Sequence, residues 1–336
     1  MKKDSEKKPM SAPLVEHLFT ADPSAHVFDG KIYIYPSHDI DAGDAFDDLG
    51  SHFAMEDYHV FSTTDPLKGQ ITDHGLALHV NDVPWASRQM WAPDATEKDG
   101  QYYLFFPAKD HDGIFRIGVA LSNKAEGPFI PESMPIDQSF SIDPAVFKDD
   151  DGEYYMYFGG IWGGQLQRWR KGFFDGSEPE SPTAFLPELN EPALCPKIAR
   201  LSPDLLAFAE KPRDLLITDE SGHALKQGDI DRRFFEASWM HKFNNKYYFS
   251  YSTGDTHHIC YAVGDSPYGP FQYRGILLEP VIGWTTHHSI CFFRNQWLLF
   301  YHDSSLSGGI THLRSIKCTP LEHDQNGNIK TIIPYV

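Results

Sequence analysis

The sequence predicts an all-β fold, a five-bladed β-propeller. Three observations carry that prediction. A turn-forming pair followed by an aromatic run recurs five times, two further segments end alike in Gly-Pro-Phe, and sustained amphipathic helical patterns are scarce. A radial repeat of small sheets accounts for such a chain because it leaves few exposed sheet edges. An irregular β-sandwich with aromatic-rich strands is the alternative.

The five runs are DGKIYIYPS (29–37), DGQYYLFFPA (99–108), DGEYYMYFGG (151–160), NNKYYFSYST (244–253) and RNQWLLFYHD (294–303). Each begins with residues that favour a tight hairpin turn and continues in residues that favour strands. Their aromatic side chains suit the space between packed sheets. SNKAEGPF (122–129) and GDSPYGPF (264–271) both read strand, turn, Gly-Pro-Phe, and STTDPLKG (62–69) is a weaker version. The long interval 160–243 contains Pro179, Pro182, Pro187, Pro192, Pro196, Pro203 and Pro212. It is expected to hold the rest of the third blade plus long loops. Within it LSPDLLAF (201–208) is expected to include a short helix and ESGHALKQGD (220–229) a hairpin. The acidic stretches Asp39 to Asp48 and Asp149 to Asp151 are expected in loops. Residues 1–12 are expected to form a flexible N-terminus and 13–336 a single catalytic propeller domain, since no low-complexity linker divides the chain.

With 29 basic and 47 acidic residues the formal charge is −18, which disfavours a nucleic-acid backbone or an anionic membrane surface as partner and suits a neutral ligand. The start MKKDSEKKPMSAP lacks the apolar core of a secretory signal, and no run approaches the roughly 20 apolar residues that span a bilayer. Cys195, Cys260, Cys291 and Cys318 are isolated and show no close metal-binding spacing. These features predict a cytoplasmic protein with reduced thiols, a mature secreted form being the alternative. They leave the oligomeric state open.

Three carboxylates stand out. Asp22, in TADPSAHVFDGKIYIY, and Asp143, in SIDPAVFKDDDGEYYMY, share the form Asp-Pro, small residue, then a few residues into the hairpin. Proline restricts its own φ and the residue before it, so each carboxylate is held at the start of a strand. Glu236, in RRFFEASWMHKF, lies between Phe235 and Trp239 just before the fourth hairpin. Apolar surroundings disfavour ionisation, which keeps a carboxyl protonated as a general acid requires. Inverting glycoside cleavage needs such an acid and a second carboxylate to activate water, roughly 6.5–9.5 Å apart. Asp22 and Glu236 come from the first and fourth repeats, positions that can face each other across a central axis.

The ordered motifs ADPSAHVFDGKIYIY, QMWAPDA, SIDPAVFKDDDGEYYMYF, FFEASWMHK and WTTHHSI resemble glycoside hydrolase family 43 over nearly the whole chain. The resemblance implies a five-bladed propeller with a pocket at one end of its axis and an inverting mechanism. It assigns Asp22 as general base, Asp143 as the residue that orients the acid and raises its pKa, and Glu236 as general acid. It places Trp91, in MWAPDA, against the sugar, and Arg314, in THLRSI, on the terminal sugar. His38 and Asp39, in YPSHD, are placed on the same rim, with holding a loop as their alternative role. His287, in WTTHHSI, takes the position of a channel histidine that binds a calcium ion with waters in many relatives, while His288 falls where a small residue is common. The implied activity is an exo-acting β-D-xylosidase that releases xylose from xylo-oligosaccharides. An α-L-arabinofuranosidase, or a bifunctional enzyme acting on arabinoxylan-derived oligosaccharides, is the alternative. A non-catalytic carbohydrate-binding propeller would retain the aromatics without needing the three carboxylates.

Overall fold

The computed structural model describes residues 7–47, 49–181 and 183–336. Asp48, Pro182 and residues 1–6 of the expected flexible N-terminus lie outside the described residues.

Five small sheets follow one another along the chain. The first contains β1 (Phe19–Phe28), β2 (Lys31–Asp39), β3 (Asp57–Asp65) and β4 (Gln70–His79) in that order. The second contains β5 (Ala86–Arg88), β6 (Asp94–Lys98), β7 (Gln101–Asp110), β8 (Phe115–Ser122) and β9 (Ile130–Pro131), with β5 and β6 both pairing β7. The third is β10 (Ala145–Lys148), β11 (Tyr154–Phe158), β12 (Lys197–Arg200) and β13 (Arg213–Asp214). A short β14 (Ile217–Thr218) lies parallel on the outer edge of the fourth, beside β15 (Glu236–Phe243), β16 (Lys246–Ser252), β17 (Ile259–Gly264) and β18 (Phe271–Leu278). The fifth is β19 (His288–Phe293), β20 (Gln296–Asp303) and β21 (Ser315–Leu321). The innermost strands touch in the cycle β1–β6–β10–β15–β19–β1, which makes the five sheets the blades of a closed propeller.

Each of the five aromatic runs turns from an inner strand to the second strand of its blade. In four of them both turn residues have positive φ: Asp29 and Gly30 (47° and 74°), Asp99 and Gly100 (53° and 81°), Asn244 and Asn245 (49° and 58°), and Arg294 and Asn295 (46° and 67°). That is the backbone a two-residue hairpin needs to match strand twist, and it explains the Asp, Asn and Gly residues there. Both Gly-Pro-Phe segments lead into an outer strand, and Phe129 and Phe271 are buried. The runs fill the gaps between blades. Tyr35, Tyr58, Leu104 and Phe106 pack between the first and second, and Phe105, Val119, Met156 and Phe158 between the second and third. Tyr157, Phe249 and Tyr251 pack between the third and fourth. Burial stabilises by about 1.5–3 kcal/mol for each large apolar side chain.

The interval 160–243 departs from expectation in two places. Residues 201–208 form a turn closed by a Leu201–Phe208 bridge and a Ser202 N–H to Ala207 C=O bond of 2.8 Å, not a helix. Two prolines nearby and Asp204, whose side chain caps the Leu206 N–H, favour the turn over a helical run. The strand β14 joins the fourth blade rather than completing the third. Residues 220–229 begin with a tight reversal, bridged between Thr218 and Ala224. Asp39 ends β2, and residues 40–47 of the acidic stretch are irregular, as are 149–151.

The start of the chain closes the ring. Leu14 N–H donates to Ile316 C=O at 2.8 Å and Thr20 N–H to Arg314 C=O at 2.9 Å, so the N-terminal segment runs beside β21. Within the stretch expected to fray, Met10 N–H donates to Pro334 C=O and Val336 N–H to Lys8 C=O, each at 2.8 Å. Among the described residues no helix is long and apolar enough to cross a membrane.

Candidate active site

The inner strands begin at one end of the axis, and the blades deliver their functional residues there. Asp22 lies on β1, Trp91 before β6, Asp143 two residues before β10, Glu236 first on β15, and His287 just before β19. All five, with Arg314, line one cavity of about 820 Å³. That is large enough for an oligosaccharide end, and its aromatic wall with a few charged groups is the usual make-up of a small-ligand site.

The backbone is bent to aim two carboxylates. Pairing of β1 with β2 shifts register between Ala21 and Ser24, and pairing of β15 with β16 shifts between Glu236 and Trp239. Both are β-bulges, which re-aim side chains beside functional sites. Asp22, Asp143 and Ala237 have φ of 50°, 56° and 61°, a left-handed conformation that non-glycine residues hold only when their surroundings enforce it. One enforcing contact is visible: Ala237 N–H donates to Asp143 Oδ2 at 2.8 Å, so Asp143 pins the bulge that carries Glu236.

Asp22 is the most firmly held. Its Oδ1 accepts from Arg314 Nη1 at 3.0 Å and its Oδ2 from Ser37 Oγ at 2.6 Å. Its own N–H donates to His302 Nδ1 at 3.0 Å, which leaves the His302 proton on Nε2 facing the Thr285 carbonyl at 3.1 Å. Burial alone would raise the pKa of Asp22, but Arg314, His302, His287 and Ser37 together lower it to about 2. Glu236 moves the opposite way. Burial and then the Asp22 charge raise it to about 8, against a smaller pull from Arg314. Burial, and after it the Glu236 charge, push Asp143 well above the carboxylate range. Repulsion is mutual, so Asp143 and Glu236 titrate as a pair and keep a proton between them at neutral pH. Asp22 and Glu236 are thus two carboxyls in one cavity with pKa values driven apart, the charge states that a general base and a general acid require.

Trp91 stands in the wall. Its Nε1 donates to Phe53 C=O at 2.9 Å and its ring lies 4.7 Å from that of Phe115. Gly50 is required beside it, because a Cβ there would come within 2.8 Å of the indole.

Arg314 lines the cavity, whereas the YPSHD pair lies outside its wall. Arg314 is buried; besides Asp22 it grips Asp39 through Nε to Oδ2 at 2.8 Å and Nη2 to Oδ1 at 2.7 Å. Nη2 also reaches Asp22 Oδ2 at 3.3 Å and Nη1 reaches Thr285 Oγ1 at 3.5 Å, so its donors are engaged by protein before any sugar arrives. Arg314 therefore organises Asp22 from the cavity wall. Asp39 is buried as its partner, away from the cavity wall. His38 lies on the other side of β2, bonded through Nδ1 to Asp57 at 2.6 Å, and it does not line the cavity. The reason is the strand period of two: Ser37 and Asp39 share the inward face and His38 cannot. That alternation was the available signal for Ser37, which sequence reasoning missed together with His302 and Phe53.

His287 is buried at the cavity wall, and neither ring nitrogen has a hydrogen-bond partner; Asp143 Oδ2 is 3.7 Å from Nε2. Burial lowers its pKa to about 4, so the imidazole is neutral and its lone pair is available. This fits a metal-ligand position, but with one protein ligand the remaining coordination of a calcium ion would fall to water. Among the described residues the potential metal-binding triad is instead His38, Asp57 and His59 in the first blade.

Residues 12–174 match the family model for glycosyl hydrolases family 43. A xylosidase/arabinosidase of Bacteroides ovatus is 57% identical over 319 residues, covering 95% of this chain and 96% of that protein. A GH43 β-xylosidase/α-arabinofuranosidase from a compost microbial metagenome, solved with xylotriose in a calcium-free form, superposes with a TM-score of 0.94. It is 61% identical, with 98% of this chain and 99% of that one covered. A GH43_1 enzyme from Xanthomonas citri solved with xylose gives a TM-score of 0.90 at 58% identity, covering 97% and 94%. Similarity of this extent, spread over all five blades, places the chain in glycosyl hydrolases family 43.

Proposed function

We propose that this glycoside hydrolase is an exo-acting β-D-xylosidase that releases xylose from xylo-oligosaccharides with inversion. The observation that carries the reading is the opposed charge state of Asp22 and Glu236 in one cavity, ionised and protonated at neutral pH. Glu236 gives its proton to the glycosidic oxygen as the bond from that oxygen to C1 breaks. Asp22 takes a proton from a water molecule whose oxygen bonds to C1 on the opposite face, leaving the released sugar with inverted configuration. Asp143 contacts the chain behind Glu236 and acts through it, holding the bulge and disfavouring loss of its proton. Trp91 offers an apolar face for a pentose ring. The xylosidase/arabinosidase description of the Bacteroides ovatus relative and the xylotriose and xylose complexes of the two solved relatives support this substrate class.

A second activity, α-L-arabinofuranosidase, is favoured by the dual description of those relatives. For calcium, His287 is the residue that would hold the ion. A bound cation there supplies positive charge and order near the carboxylates.

Product analysis tests the assignment. Xylobiose, xylotriose and arabinosyl-substituted xylo-oligosaccharides are each incubated with enzyme, and early products are followed by NMR. Release of xylose from the unsubstituted chains, first as the α-anomer, is expected. Arabinose released with an intact backbone would replace xylosidase by arabinofuranosidase, and a β-anomer appearing first would overturn inversion.

A further inference from the structure

We propose that His38, Asp57 and His59 form a separate site for a divalent transition-metal ion of the zinc type, which clamps the two feet of the pocket loop 40–56. One ligand atom from each lies within 4.8 Å of the others. The β2–β3 register, Ile32 with Thr63 through Ile34 with Phe61, continues to put His38 opposite Asp57, and their 2.6 Å contact agrees. His59, two residues along β3, shares the face of Asp57, and its ring centroid is 5.5 Å from that of His38. The three side chains are only 17–20% exposed, which holds them in place while leaving a path for an ion.

The supporting shell is also present. Asp73 Oδ1 meets His59 Nδ1 at 3.3 Å, and its Oδ2 meets His17 Nε2 at 2.7 Å. A carboxylate behind an imidazole keeps the proton on that nitrogen and leaves the other with the lone pair a metal takes. Two imidazoles and one carboxylate, with water in a fourth position, suit zinc or a neighbouring transition metal. Calcium, which seeks six to eight oxygens, is poorly served. The proton in the His38–Asp57 bond is what the ion would displace.

Position gives the site its consequence. His38 is next to last on β2 and Asp57 first on β3, so the chain between them is the loop that bears Phe46, Leu49, His52 and Phe53 of the cavity wall. Phe53 in turn anchors Trp91, and Asp39, adjacent to His38, anchors Arg314. An ion joining His38 to Asp57 fastens the base of that wall without entering the cavity.

Chelator-stripped full-length enzyme is dialysed against Zn²⁺ and the bound zinc counted by elemental analysis, in the wild type, His59→Gln, Asp57→Asn and His287→Leu. Wild type and His287→Leu are expected to hold one zinc that both triad variants bind at least tenfold more weakly. Zinc is expected to raise the thermal midpoint only where that ion is held. Far-UV circular dichroism in chelator establishes that each variant is folded, and Asp57→Asn alone carries the test if His59→Gln is not. Equal zinc content in the wild type and a folded triad variant, or loss of zinc confined to His287→Leu, would overturn the proposal.

Discussion

Arg314 Nη1 lies 3.0 Å from Asp22 Oδ1 while its Nε and Nη2 hold Asp39, so one buried guanidinium joins the first and fifth blades at the point where Asp22 sits. Lysine is a point charge and cannot reproduce that two-sided fork. In Arg314→Lys, kcat is expected to fall and the acidic limb of the kcat/KM profile to move to higher pH, since the ammonium cannot hold both Asp39 and Asp22 and the contact that counters the burial of Asp22 is weakened. Asp22 has a lowered folded pKa, about 2. The stability it contributes is therefore present above its unfolded pKa and lost as pH falls through about 2. Arg314→Met, which leaves two buried carboxylates unpaired, is expected to lose about 3–5 kcal/mol in denaturant titration. An unchanged acidic limb in a folded Arg314→Lys enzyme would contradict this role.

Removing either reacting carboxyl should leave a folded, poor enzyme. Asp22→Asn and Glu236→Gln are each expected to lower kcat by about 10²–10⁴-fold. Wild-type kcat should decline as pH rises through about 8, where Glu236 gives up its proton. Near-wild-type hydrolysis by either variant, measured on xylobiose, would remove the role assigned to that residue.

The same raised pKa has a stability consequence of opposite sense. Glu236 is held protonated in the fold up to about 8, whereas in the unfolded chain it ionises near 4.5. Stability is therefore full below 4.5 and is lost as pH rises towards 8. Glutamine does not ionise, so Glu236→Gln should be more stable than wild type by a few kcal/mol at pH 8 and differ little at pH 4. Thermal midpoints at the two pH values check it; equal pH dependence in both proteins would count against a protonated Glu236.

Asp143→Asn separates charge from geometry. The asparagine carbonyl can still accept the Ala237 N–H, so the bulge persists while the group that shares a proton with Glu236 no longer ionises. The alkaline limb of kcat is expected to shift to lower pH, with KM little changed. A limb that stays in place would confine Asp143 to a purely structural role.

Chelation addresses the channel. Wild-type enzyme treated with chelator is expected to lose activity or thermal stability and to regain it with calcium, whereas calcium should restore nothing to chelated His287→Leu. No response in wild type, with no bound metal by elemental analysis, would remove calcium from the account.

The pattern of hairpin turns was legible because its cause is local. Asp-Gly, Asn-Asn and Arg-Asn in front of aromatic runs mark positive-φ turns whatever surrounds them, and all five proved to join an inner strand to its neighbour. The Asp-Pro pair was legible for the same reason. The sequence left His38 and Asp39 between a rim and a loop-holding role, because adjacent residues in a motif look equivalent until strand alternation assigns them opposite faces. The turn at 201–208 and the transfer of β14 to the fourth blade depended on side-chain capping and on which sheet edge lay near.

The sequence by itself determined the five repeats, the blade turns and the positions of Asp22 and Asp143 near the heads of inner strands, with Glu236 just before the fourth hairpin. Those follow from backbone preferences and short-range spacing. Only the tertiary structure decided that Arg314 serves Asp22 and Asp39, that Asp22 and Glu236 differ in charge at neutral pH, and that His38 belongs with Asp57 and His59. Burial and Coulomb interactions depend on distances through space, and partners such as Asp22 and Arg314 lie 292 residues apart along the chain, brought together only when the ring closes.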